Sequence, residues 1–267
     1  MYSFTFHRPQ TLRQAANLLS KNEDAKLLAG GHTLLPTMKL RLANPPELID
    51  LSRIEGLAGI ELTGRSLTIG AMARHADVHA SPVVQQAIPA LAKLAGMIGD
   101  PAVRHMGTLG GSVANNDPTA DYPAACLGLG ATIVTNKRRI KADDFFTGMF
   151  STALEPAEII TKVSFPIPKK AAYQKFRNQA SRYALVGVFV SKRGSDIRVA
   201  VTGAGSNGVF RVAAFEAALK KRFASKSLEG LTVSANGLNS DIHGSAEYRA
   251  HLVGVLARRA VAEAVGK

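Results

Sequence analysis

Tryptophan is absent from this chain, cysteine occurs once, and aromatic residues make up 6% of it. The lone Cys126 excludes an internal disulfide, which fits a reducing compartment. It also cannot hold an iron–sulfur cluster, which takes about four thiolates. Because it lies in the apolar run 123–129, it reads as a buried core thiol. Scarce aromatics leave few platforms for stacking nucleic-acid bases. No apolar run reaches about 18 residues, so no transmembrane helix is expected. Residues 1–9 lack the apolar core of a secretory signal, and a cytoplasmic protein is expected. Neither a P-loop GxxxxGK[ST] nor a Gly-x-Ser-x-Gly elbow occurs, so ATPase and hydrolase readings have no support. Tandem repeats and low-complexity runs are also missing.

What remains is a soluble globular composition. The 267 residues are 46% hydrophobic and 20% charged, enough apolar material for a substantial core. The net charge is +13, from 33 Lys and Arg against 20 Asp and Glu. Such a surplus raises nucleic-acid binding as a rival function. The basic residues are scattered, however, with short runs only at 136–141, 169–170 and 220–222. A solvated basic surface, or one facing acidic protein partners, fits better, and no nucleic-acid partner is expected.

Two glycine-rich stretches carry the chemistry. In 98–122, Gly107, Gly110 and Gly111 crowd into five positions, flanked by Thr108 and Ser112. Glycine at that density exposes backbone N–H groups and permits close approach of a ligand, above all a phosphate. The alternative is a glycine-rich turn between two core elements. In 26–36, a short apolar strand runs into Gly30-Gly31-His32-Thr33 and then a short helix, 34–42. Two such cradles suit the pyrophosphate of a dinucleotide.

Other motifs are weaker. Gly203 to Gly208 forms a GxGxxG between a strand and a helix, but too little chain follows for a parallel dinucleotide-binding sheet, so it reads as a tight turn. His75 and His79 have the i, i+4 spacing of a helical zinc pair. No glutamate follows His75 in the HExxH manner and no third ligand is evident. They read as a surface pair, and no metal site is expected.

Along the chain, Thr11 and Gln14 form a capping box that opens a helix with Leu12, Ala15, Ala16, Leu18 and Leu19 on one side. Strands are expected at 26–29, 47–50, 57–62, 66–70, 131–135 and 158–165. A helical region from Ser81 to about Gly96 is interrupted at Pro89. Pro166 to Lys170 is the best boundary. Beyond it come strands at 173–177, 185–192 and 197–202, then helices at 212–222 and 251–265, with 236–244 as loop. Strands followed by helices suggest an α+β unit.

The pair of cradles resembles the FAD-binding medium subunit of the molybdenum hydroxylases, the carbon monoxide dehydrogenase and xanthine dehydrogenase type. The matching residues run in order from Ala29-Gly30-Gly31-His32-Thr33-Leu34-Leu35-Pro36 through 47–51, 69–71, 98–99 and 103–104 to Gly107-Thr108-Leu109-Gly110-Gly111 and 117–121. The resemblance implies an α+β fold. A two-part FAD-binding domain of the vanillyl-alcohol-oxidase type (1–56 and 57–168) precedes a carbon monoxide dehydrogenase flavoprotein-type C-terminal α+β domain (169–267). It implies non-covalent FAD. Backbone N–H groups of Ala29, Gly30, Gly31, His32 and Thr33, beside Leu34, would meet the pyrophosphate. Thr108, Gly110, Gly111 and Ser112 would clamp the phosphates and ribityl chain. Asp121 would hydrogen-bond a sugar hydroxyl, Ile98 and Ile160 would flank the isoalloxazine, and Tyr183 would cover one flavin face.

The segment 176–186 departs from many relatives in lacking an acidic residue before the following strand. No side chain is implied as catalytic. The implied role is electron relay from an iron–sulfur small subunit, fed by a molybdopterin large subunit, to NAD, oxygen or a quinone. A free-standing flavin oxidoreductase of the same fold is the alternative. The substrate of the complex would be bound by another chain.

Overall fold

The computed structural model describes residues 1–266, so the expected third domain ends on a residue outside the described range. The chain opens with β1 (Thr5–His7), α1 (Leu12–Lys21), β2 (Lys26–Leu28), α2 (Leu34–Lys39) and β3 (Glu47–Asp50). Its strands form a parallel sheet of order β1-β3-β2, with helices as the crossovers that parallel pairing requires. The capping box is in place. Gln14 N donates to Thr11 Oγ1 at 3.2 Å, and Thr11 N donates to Gln14 Oε1 at 3.2 Å. Ala15 of α1 joins Ile49, Leu51, Ile54 and Leu57 in a small core. Ile159, far along the chain, completes that core and fastens this sheet to the next group.

The second group comprises β4 (Ile60–Thr63), β5 (Ser66–Gly70), α3 (His75–Ala80), α4 (Pro82–Ala87), α5 (Pro89–Gly96), α6 (Pro101–Met106), α7 (Leu109–Asn115), α8 (Tyr122–Leu129), β6 (Thr132–Thr135), β7 (Arg139–Lys141), α9 (Ala142–Phe145), β8 (Phe146–Gly148), β9 (Ser151–Thr152) and β10 (Ile160–Pro166). Its antiparallel sheet has the order β4-β5-β10-β6-β7. The chain leaves the sheet after β5 for six helices. Pro89 divides the helical region as expected, since proline fits a first helical position, where its missing N–H is not needed. The second glycine stretch is part helix rather than an open loop. Thr108 caps α7, its hydroxyl accepting from Gly111 N at 3.1 Å. The basic run 139–141 folds as edge strand β7, whose exposed Arg139 and Lys141 discourage further pairing.

The third group is an antiparallel sheet of β11 (Lys170–Arg177), β12 (Ala184–Arg193), β13 (Asp196–Thr202) and β14 (Phe210–Arg211), followed by α10 (Ala213–Lys221) and α11 (Ala246–Val265). β12 is buried without a break from Ala184 to Ser191, because helices cover both faces of its sheet. α11 lies on one face with its apolar Leu252, Val253, Leu256 and Ala260. α8 lies on the other. Every residue of α8 is buried, as expected for a helix apolar all round. Its Gly128 approaches β12 so closely that a Cβ there would fall 2.7 Å from the Phe189 ring. Among the described residues, no helix is long and apolar enough to cross a membrane.

Candidate functional site

A cavity of about 740 Å³ opens where the three groups meet. That volume lies within the range of roughly 300–1,000 Å³ usual for small-molecule sites. Its wall contains Ala29, Gly30, Gly31, His32, Thr33, Leu34, Ile98, Thr108, Gly110, Gly111, Ser112, Asp121, Ile160 and Tyr183, every residue expected to meet a cofactor. Sequence reading missed Met72, His75, Leu154, Glu158, Lys175 and Arg182, which share the wall.

The two cradles touch each other. A Cβ on Gly30 would strike the Met106 carbonyl oxygen and come within 2.7 Å of Gly107 Cα. Gly111 also faces Ala29, at ordinary contact distance, with a Cβ reaching 3.6 Å from the Ala29 methyl. Glycine at 30 thus lets two backbones segregated by sequence lie in contact.

The cradles differ in what they offer. Among the described residues, the backbone N–H groups of Gly30, Gly31, His32, Thr33 and Leu34 have no protein acceptor. Gly31, at φ +72°, turns the chain so that this run is possible. The second cradle departs from expectation. Its Leu109 N donates to Ala73 O at 3.0 Å, Gly110 N to Ala71 O at 2.8 Å, and Gly111 N to Thr108 Oγ1 at 3.1 Å. Those glycines serve close packing instead. A Cβ on Gly110 would lie 2.5 Å from the Ala71 methyl. The anion-binding capacity of the site therefore rests mainly on the first cradle.

Asp121 also differs from expectation. Its Oδ1 accepts from Tyr173 Oη at 2.5 Å and its Oδ2 from Lys175 Nζ at 2.8 Å. Lys175 Nζ donates further to Met97 O at 3.2 Å. Burial pushes the Asp121 carboxyl up, while Lys175 and Tyr173 pull it down. With both oxygens engaged by the protein, Asp121 holds the wall together before it can serve a sugar hydroxyl. Tyr173 and Lys175, two apart on β11, share one face of the strand.

The expected surface pair is split, with His79 exposed and His75 in the interior. α3 is covered by α5 and α6, and His75 is 4% exposed. Its burial, then the positive neighbours His32 and Arg104, bring its imidazole down to about 4. His79 is exposed, with its Nδ1 2.9 Å from Ala92 O. Among the described residues, no group of three His, Cys, Asp or Glu side chains is arranged to hold a metal. Cys126 is fully buried, and burial pushes its thiol up, away from reactivity. The GxGxxG at 203–208 is a turn outside the cavity wall, its Gly203 N donating to Pro118 O at 2.8 Å.

Elsewhere on the rim, Glu158 is clasped by Arg138 at 3.0 Å, Thr135 at 2.7 Å and the Glu155 N–H at 2.8 Å. Burial opposes its ionisation, but these partners outweigh burial and hold its carboxyl at about 2. Chemically, the site presents a row of N–H donors for an anion and apolar walls at Ile98, Leu154 and Ile160. Half-exposed Tyr183 lies at its edge. That set fits an extended ligand with phosphates at one end and a flat ring at the other.

Two family models match the chain. Residues 2–168 match the FAD binding domain in molybdopterin dehydrogenase, and residues 171–264 match the CO dehydrogenase flavoprotein C-terminal domain. The chain is 36% identical to the carbon monoxide dehydrogenase medium chain of Hydrogenophaga pseudoflava over 97% of its own length and 96% of that protein. It is 38% identical to the nicotine 6-hydroxylase medium subunit of Paenarthrobacter nicotinovorans, over 96% and 95% of the two chains. The solved carbon monoxide dehydrogenase from Hydrogenophaga pseudoflava superimposes with a TM-score of 0.89 at 34% identity, covering 99% of this chain and 98% of that one.

Proposed function

The chain belongs to the FAD-binding medium subunits of the molybdenum hydroxylases, and from that membership we propose that it relays electrons between iron–sulfur clusters on a partner subunit and an external acceptor. The observation that carries the reading is the row of free N–H groups from Gly30 to Leu34, set against Gly107 at the head of a cavity with apolar walls.

In this reading FAD is held without a covalent bond, and when bound it supplies the redox chemistry. The N–H groups of Gly30 to Leu34 hold the pyrophosphate, with Ala29 behind them. Thr108, Gly110, Gly111 and Ser112 shape the wall along the phosphates and ribityl chain. Ile98 and Ile160 exclude water from the ring, and Tyr183 lies over one face of it. Asp121, with Lys175 and Tyr173, keeps that wall rigid and leaves a sugar hydroxyl only its remaining lone pairs. No side chain need transfer a proton. The domain limits proposed are 1–56, 57–168 and 169–267.

The partners proposed are an iron–sulfur small subunit and a molybdopterin large subunit in the cytoplasm, with NAD, oxygen or a quinone as acceptor. Several relatives are named as medium subunits of dehydrogenases or hydroxylases, which supports a three-part assembly. The basic surplus would favour acidic docking faces, with association slowed by salt.

Reconstitution tests the proposal. The purified chain should be yellow, should release its FAD completely on acid denaturation, and should contain neither iron nor molybdenum. Substrate should bleach the flavin only when both partner subunits are added. Turnover by this chain alone, loaded with FAD, would replace the relay with a free-standing oxidoreductase.

A further inference from the structure

His75 is a buried polar side chain of the cavity wall for which the relay gives no use. It is 4% exposed, and neither ring nitrogen has a hydrogen-bond partner within the protein among the described residues. Nδ1 is fully enclosed. The Nε2 edge lies against the glycine turn: a Cβ on Gly107 would sit 2.7 Å from His75 Nε2. The backbone is pinned there too, with His75 N donating to Gly107 O at 3.0 Å. Gly107 in turn touches Gly30, which begins the row of free N–H groups. His75 thus stands behind the point where both cradles converge.

Resting on the flavin reading above, the geometry points to His75 as a hydrogen-bond donor, through Nε2, to a phosphate oxygen of the bound dinucleotide. Nε2, on a side chain that lines the cavity and without a partner in the protein, is the ring nitrogen that a ligand can complete, whereas the enclosed Nδ1 keeps its lone pair unpaired in either state. The groups facing it are His32 from the first cradle, Arg104 from α6 and the Tyr122 ring, whose centroid is 5.3 Å away. Two of the three carry or can carry positive charge, and none is an acceptor in bonding distance. Arg104 Nη1 already donates to Ile98 O at 2.6 Å, and His32 Nε2 lies 3.1 Å from Ala102 O. The surroundings therefore keep His75 neutral and call for an acceptor, which an anion provides. Glycine at 107 is what leaves the Nε2 edge uncovered.

The experiment uses the full chain stripped of flavin, with binding followed by quenching of flavin fluorescence. His75→Leu should weaken FAD binding about 10-fold, as for one lost hydrogen bond to a charged group. Riboflavin, which has no phosphate, should bind it as it binds the wild type. His75→Gln, which carries an N–H near the Nε2 position, should restore most of the FAD affinity, and His75→Asn should not. In the wild type, the ¹⁵N resonance of His75 Nε2 should move when FAD is added and stay put with riboflavin. That measurement decides the matter even if the leucine variant fails to fold. An equal loss for FAD and riboflavin, or a silent Nε2 resonance, overturns the phosphate contact while leaving the flavin reading intact. A wild-type chain that takes up no FAD overturns both.

Discussion

Lys175 Nζ lies 2.8 Å from Asp121 Oδ2, although 54 positions separate them and they belong to different sheets' surroundings. Their side chains are only 1% and 4% exposed. Removing one partner leaves the other charge buried without compensation. Lys175→Met should therefore lower the unfolding free energy by about 3–5 kcal/mol in urea titrations. Adding Asp121→Asn to that variant should recover much of the loss. A double variant as unstable as the single one would show that the charge pairing is not what matters.

Gly30→Ala should deplete bound FAD several-fold while the chain remains folded, because the new methyl must push apart the two cradles at Met106 and Gly107. The ratio of flavin to protein absorbance reads this directly. Gly59→Ala is the control, since its Cβ would meet nothing nearer than Glu61 Oε1 at 3.8 Å.

Glu158 makes a pH-dependent contribution whose sign follows from its depressed carboxyl. Its pKa falls from an ordinary 4.5 to about 2 in the folded chain. The stabilisation is complete above pH 4.5 and disappears as pH falls toward 2. Glu158→Gln should cost about 2 kcal/mol at pH 7, a value reduced for the half-exposed Arg138 partner. The stability curves of variant and wild type should converge in acid. Parallel curves down to the acid limit would contradict the assignment.

Thr108→Ala removes the cap of α7 and frees the Gly111 N–H. A loss of about 1 kcal/mol is expected, with Thr108→Ser near wild type. Denaturant midpoints at equal slope would measure it.

The sequence revealed what depends on local chemistry. The capping box at Thr11 and Gln14, the break at Pro89 and the burial of Cys126 are each decided by a few neighbouring residues. The two glycine motifs and the family resemblance marked part of the cavity wall, but not Met72, His75, Leu154, Glu158, Lys175 or Arg182. Features that depend on distant partners were not legible. Nothing near Gly110 says that its N–H is taken by Ala71, a partner from the strand end before α3. His75 reads as a surface residue from its spacing with His79, yet α5 and α6 cover it. Asp121 reads as a ligand group until Lys175 and Tyr173 arrive from β11. The charged run at 139–141 hides an edge strand that only its pairing with β6 creates.

α8 has no side facing water, and the core around it includes Tyr173, Phe189 and Ala200 from the third sheet as well as Leu67, Ile69 and Val163 from the second. The largest core therefore runs across the stretch around Pro166 that divides the chain in sequence. Heat should melt the protein in one cooperative transition rather than two. A ligand bound in the cavity should raise the melting point of the third sheet as much as that of the cradles, since neither can open without exposing α8. Expressed without residues beyond 168, the first part of the chain would present one bare flank of that helix to solvent and would aggregate.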